Sequence, residues 1–202
     1  MNTHPWQLLL ERLQLNLEAL SQKSKQHWDL VAILPEPSDL ETAPFQNALS
    51  EPFFEALSHT FVHSISNSVS HGYMRAAERE SRGWDARTSF LFQVSLDPVT
   101  PGIQILIGDD GPGPDWQKVR KKAHDLGVDL ATISGAKKWD VFFMPQFSTM
   151  LSPNELSGRG IGLDAVREEW KKLGAAVTAE NHPGEPGDVD RHGFVLKIFF
   201  PI

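Results

Sequence analysis

Cysteine is absent from the 202-residue chain, which excludes disulfides, thiolate metal ligands and a cysteine nucleophile and suits a reducing cytoplasm. No stretch approaches the roughly 18 consecutive apolar residues of a membrane-spanning helix. The N-terminus lacks the basic region, apolar run and small-residue cleavage site of a secretory signal. An excess of positive charge is missing too: 19 Lys and Arg stand against 26 Asp and Glu, a net charge of −7, which argues against nucleic acid as the main partner. Internal repeats, low-complexity tracts and Gly/Ser linkers are absent as well. What remains, 40% hydrophobic and 22% charged residues, excludes wholesale disorder and suffices for one buried core.

Apolar spacing predicts a helix over 5–26, with Pro5 in its first turn and Leu9, Leu13, Leu17 and Leu20 on one stripe. Leu8, Leu10 and Leu15 widen that stripe beyond a coiled-coil seam. Residues 1–26 are therefore expected to pack on a domain spanning 27–202. WDLVAIL (28–34) reads as a strand, and a second helix runs over 50–70 with Ser50 as N-cap and Gly72 as its stop. Residues 73–87 read as a charged surface segment. TSFLFQVSLD and GIQILIGD read as antiparallel strands joined by PVTP. A basic helix is expected from Asp115 to Leu126, a long loop over 128–157, a helix from Gly160 to Leu173, and strands at AAVTAEN and GFVLKIFF. Without a regular βαβ alternation, this order predicts an α+β two-layer sandwich: one mixed, mostly antiparallel sheet with helices on one face.

Three short elements carry chemistry. His63, Asn67 and His71 stand at i, i+4 and i+8 on the helix 50–70, and four-residue spacing puts such side chains on one face. Taken alone, such a stripe is more often a solvated face than a site. ILIGDDGPG (105–113) ends a strand in a glycine turn, where Asp109 can accept donors from an amine while Gly111 and Gly113 let backbone approach a flat ligand. SGRGIGLDAV (157–166) alternates Gly158, Gly160 and Gly162 before a helix, a pattern whose free backbone N–H groups suit phosphates. It matches neither the dinucleotide fingerprint nor the Walker A loop.

Together and in this order, the elements resemble the GHKL ATPases (gyrase, heat-shock chaperone, histidine kinase, MutL) with their Bergerat ATP-binding fold. Within that group they are most similar to the ATP-binding catalytic domain of chemotaxis histidine kinases. HSISNSVSHG (63–72) resembles the N box, DDGPG (109–113) the G1 box, FFMPQFST (142–149) the F box and start of the lid, and SGRGIGLDAV the G2 box. The resemblance implies ATP and Mg²⁺ as cofactors. It implies Asn67 as the Mg²⁺ ligand, His63 as the catalytic base or γ-phosphate-orienting group, and His71 near sugar and phosphates. It places Asp109 on the adenine amine, with Gly111 and Gly113 beside the base. Lys118 and Lys122 would meet phosphates, a reading that competes evenly with a solvated basic face, and Gly158, Arg159, Gly160, Ile161 and Gly162 would cradle them. Residues 144–157 would be a lid, pinned when closed by Phe147.

This chain departs from that pattern at the phosphate end. Ser66 and Ser70 stand where the chemotaxis kinases usually carry a basic and an acidic residue, Met150 follows the lid's Ser-Thr in place of lysine, and RHGFVLKI lacks the closing Gly-Thr-Thr-Phe. No His-Glu or His-Asp dimerisation-helix pattern is present, so the phosphoacceptor is expected on another chain or on a part of the protein outside this sequence. The expected function is an ATP/Mg²⁺-binding, cytoplasmic histidine-kinase module acting on phosphotransfer or response-regulator proteins. The alternative is a nucleotide-gated binding protein of anti-sigma type, or a serine kinase of that kind.

Overall fold

The computed structural model describes residues 5–36, 50–97, 99–133, 135–147, 162–182 and 192–202. Five strands form one sheet in the order β1-β2-β3-β5-β4. Strand β1 (Trp28–Ile33) runs parallel to β2 (Thr88–Leu96). The β2–β3, β3–β5 and β5–β4 pairs are all antiparallel, with β3 at Gly102–Asp109, β4 at Ala176–Glu180 and β5 at Phe194–Pro201.

Alternation along the strands decides which face is covered. Phe92, Ile107, Leu196 and Ala179 stand side by side across four strands, and Val94, Ile105, Ile198 and Val177 form the next row. All eight are buried in one core. A slip of one residue in any of these strands would turn its whole set to the other face. Helices α1 (Pro5–Ser24), α2 (Glu51–Asn67) and α5 (Leu163–Lys172) supply the other half of that core. They do so through Leu9, Leu13 and Leu17, through Phe53, Leu57, Phe61 and Ile65, and through Val166 and Trp170. The α+β sandwich expected from the sequence is the architecture that forms. Ser50 caps α2 by accepting from the Phe53 N–H at 3.4 Å, with Pro52 in the first turn.

A short helix α3 (Ala76–Ser81) interrupts the charged segment 73–87. Helix α4 (Trp116–Asp125) begins where Asp115 accepts from the N–H groups of Gln117 and Lys118, and it buries Val119 and Ala123 in a second, smaller core with Leu130 and Val141.

Three expectations are corrected. The α-helical hydrogen bonding of α2 stops at Asn67, and Ser68–Gly72 form a π-helical turn. A π turn leaves backbone groups out of α register, and Gln26 takes one of them: its Nε2 donates to the Val69 carbonyl at 3.2 Å while its Oε1 accepts from Trp28 Nε1 at 3.1 Å. The segment 128–157 is not an unbroken loop, since Leu130–Thr132 and Gly135–Phe143 are 3₁₀-helical, with Val141 and Phe143 buried. A three-residue repeat escapes a search for period 3.6. Finally, α5 starts at Leu163, not Gly160, because Gly162 is its extended N-cap.

Trp170 is fully buried, meets Phe53 edge-on (5.3 Å between centroids) and donates its Nε1–H to Thr60 Oγ1 at 2.8 Å. Thr60→Val keeps the shape but leaves that N–H without an acceptor. We expect a loss of about 1–3 kcal/mol in urea unfolding at unchanged m-value.

Candidate functional site

Strand β3 delivers Asp109 to the end of the sheet, where it is 3% exposed. Its Oδ2 accepts from Ser68 Oγ at 2.7 Å and its Oδ1 from the Gly111 N–H at 3.0 Å. Gly72 presses flat against the carboxylate: a Cβ there would lie 2.5 Å from Asp109 Cγ, and one at Gly111 would collide with the Gly72 carbonyl. Only glycine permits this approach of two backbones. The end of the π turn and the turn after β3 are therefore in direct contact, and Gly113 lies beside Gly193 at the start of β5. Burial pushes the Asp109 carboxyl up to about 6, against the opposing pull of the Ser68 and Gly111 hydrogen bonds.

The neighbouring acid has a different fate. Asp110 is gripped by Arg79, a fully buried guanidinium whose Nη2 lies 2.8 Å from Oδ2 and whose Nη1 reaches Oδ1 at 3.3 Å and the Asp110 carbonyl at 3.1 Å. Arg79 Nε donates to the Asp85 carbonyl, and Asp110 Oδ1 also accepts the Ser89 N–H. Of the Asp-Asp pair, Asp110 is the one tied to a cation, and Asp109 is held by neutral donors alone.

On α2, Asn67 Nδ2 lies 2.8 Å from His63 Nε2. An amide N–H can only donate, so the ring nitrogen accepts and its proton sits on Nδ1. The expected i, i+4 pairing of these two is present. His71 leaves their stripe because the π turn intervenes; it is exposed. Partial desolvation, and then the positive charge of Lys118, hold its imidazole below the ordinary value. Lys118 itself is exposed and paired with Asp115 at 3.2 Å, while Lys122, one turn further along α4, is half-buried. Gly162 sits at the start of α5. Gly158, Arg159, Gly160 and Ile161, and the expected lid beyond Phe147, lie outside the described residues. Phe147 packs edge-on against Phe142 at 5.6 Å, and Phe142 meets Phe194, the residue paired with Asp109 across the sheet, at 5.2 Å.

Sequence reasoning missed Ser68, Gly72 as a wall of the site, Arg79, and His192, whose Nδ1 lies 2.9 Å from the Gly111 carbonyl. Ser68 left one trace, a hydroxyl at a core position of an apolar helix face; Arg79 left none inside a charged segment.

A scan against protein-family models finds no match. Curated sequences do match. The chain is 32% identical over 121 residues to "Chemotaxis protein CheA" of Halobacterium salinarum and 30% identical over 136 residues to that of Borreliella burgdorferi, alignments that cover 58% and 66% of this chain. It is 32% identical over 120 residues, 57% of its length, to the "Gliding motility regulatory protein" of Myxococcus xanthus. Over these stretches the chain is similar to chemotaxis proteins named CheA. It spans less than a fifth of these relatives, with 18%, 15% and 15% of their lengths aligned. Among solved structures, a mycobacterial sensor histidine kinase, MprB, superposes with a TM-score of 0.49 at 14% identity, covering 96% of this chain and 95% of that one. Among the described residues, no helix is long and apolar enough to cross a membrane, and no group of three or more His, Asp or Glu could hold a metal ion.

The raised Asp109 carboxyl sets a pH dependence. Between about pH 4 and 6 the folded chain keeps a proton that the unfolded chain has released, so stability falls as pH rises through that window and is regained on acidification. Relative to Asp109→Asn, the wild type should gain about 1–2 kcal/mol of unfolding free energy between pH 7 and pH 5. Parallel pH profiles in urea unfolding would place the proton elsewhere.

Proposed function

We propose that the chain is the ATP- and Mg²⁺-binding catalytic module of a cytoplasmic two-component histidine kinase, passing the γ-phosphoryl group to a histidine on a separate phosphotransfer partner. Identity near 30% to chemotaxis kinases supports this reading. The observation that carries it is the buried Asp109 at a strand end, braced by Ser68 and Gly111 and walled by glycine backbone. That is a carboxylate kept from water, closed in by glycine backbone and held by two neutral donors. Asp109 accepts the adenine amine, with Gly111 and Gly113 beside the base.

The donor set fits a magnesium ion. The Asn67 amide nitrogen is engaged by His63, which orients the amide oxygen as a hard donor, and Mg²⁺ characteristically takes one or two protein oxygens and fills its shell with phosphates and water. The ion would neutralise charge on the transferring phosphoryl group. His63, beside Asn67, orients the γ-phosphate, or accepts the acceptor's proton once its Nε2 releases the Asn67 amide. Lys118 adds positive potential beside His71, whose ring partial desolvation and that charge keep neutral, with Lys122 on the next turn. Gly158 to Gly162 offer backbone N–H groups to the phosphates at the start of α5. Ser66, Ser70 and Met150, in place of the charged residues expected there, favour a second reading: a nucleotide-gated switch that binds without fast transfer.

ATP with Mg²⁺ should raise the melting temperature, by the equivalent of about 3 kcal/mol at a hundredfold excess over Kd. Asp109→Asn should abolish the shift, and Asn67→Ala should remove only its Mg²⁺-dependent part. Labelled ATP incubated with a cognate phosphotransfer protein should leave acid-labile label. Acid-stable label would mark a serine kinase, and binding without label the switch. A melting temperature indifferent to nucleotide would overturn both readings.

A further inference from the structure

The turn that follows β3 is held from outside by three segments, each acting on a different residue. Ser68 takes Asp109, Arg79 takes Asp110, and His192 takes Gly111. The third is the least expected. His192 lies on the approach to β5, where its carbonyl accepts from the His182 N–H at 2.9 Å and so extends the β4–β5 ladder. Its ring stacks on Trp84, with centroids 3.3 Å apart and an interplanar angle of 20°. The same indole has Arg82 and Arg79 over it at 5.3 and 5.7 Å, and Arg79 is the residue locked on Asp110. Trp84 thus fixes the plane of the imidazole, and the imidazole presents Nδ1–H to the Gly111 carbonyl, an oxygen that can only accept. Gly111 in turn donates its N–H to Asp109 Oδ1. The Gly111 N–H lies in the Asp110–Gly111 peptide plane, whose carbonyl Arg79 holds at 3.1 Å, and His192 holds the carbonyl of the next plane, so the two bonds together set the dihedrals of Gly111 and where its N–H points.

We propose that His192, clamped by Trp84, is a positioning residue for ligand recognition by Asp109: it holds Gly111 so that the Gly111 N–H keeps Oδ1 in its binding orientation. This deepens the nucleotide reading above and rests on it. The two properties of the ring separate by substitution. His192→Phe keeps a stacking ring and loses the donor. His192→Asn loses the stack but keeps an N–H where Nδ1 stood.

The test has two arms. In the first, ADP with Mg²⁺ is titrated calorimetrically. His192→Phe should weaken binding about fivefold, the value of one ordinary hydrogen bond, at a melting temperature close to wild type, and His192→Asn should restore most of the affinity. In the second, amide hydrogen exchange is followed without nucleotide: the Gly111 amide should exchange faster in His192→Phe and near the wild-type rate in His192→Asn, with the amides of Ile105 and Ile107 unchanged. Unaltered Gly111 exchange in His192→Phe overturns the proposal. So does equal failure of both variants with a lowered melting temperature, which marks a purely structural residue. Wild-type protein that does not bind ADP defeats the nucleotide reading, and the exchange arm still decides the role of His192.

Discussion

A carboxylate at the end of a strand, shut away from water, must find its partners within the protein or be driven to protonate. Asp109 finds one partner in its own turn and one across 41 residues of sequence, and that second bond sets a demand on the rest of the molecule. Ser68 has to stand opposite the end of β3, so α2 must lie along the sheet at one depth and rotation. Leu57, Phe61 and Ile65 enforce that placement from the core, where Phe61 meets Phe92 of β2 edge-on at 4.8 Å. The hydrophobic core and the polar site are two ends of one helix-to-sheet packing.

The π turn is the adjustment that lets both ends be satisfied. Ser68 and Val69 are each buried, the first on Asp109 and the second in the core. The wider turn carries Gly72 to the carboxylate and exposes His71. Gln26 then closes the carbonyl of Val69 from the junction of α1 and β1. Widening one helical turn is a small distortion, and turns of this kind concentrate where a helix meets a functional site.

What was legible in the sequence was what is governed by local period. Phe90, Phe92 and Val94 recur at every second position, and Ile103, Ile105 and Ile107 do the same, so β2 and β3 follow from the pattern alone. The pairing of His63 with Asn67 follows from four-residue spacing, and Asp109 announced itself by standing between a strand and two glycines. The π turn, the 3₁₀ segments and the residues that brace the Asp-Asp-Gly turn were not legible. Arg79 sits in a run of charges of the kind that normally stays solvated, and its distant partner Asp110, together with the Asp85 carbonyl, makes it a buried residue. His192 is separated from Gly111 by 81 positions, and no periodicity spans such a distance.

The contact between Gly72 and Gly111 limits how such a site can diversify. Where two backbones and a carboxylate meet with no room for a methyl group, side-chain chemistry has no foothold, and substitution at either glycine dismantles the geometry before it can modify it. Variation at this end of the sheet has to come from the surrounding layer, from positions such as Ser68 and His192 whose side chains brace the carboxylate and its turn. The innermost wall is frozen, and variation is left to the residues that brace it from behind.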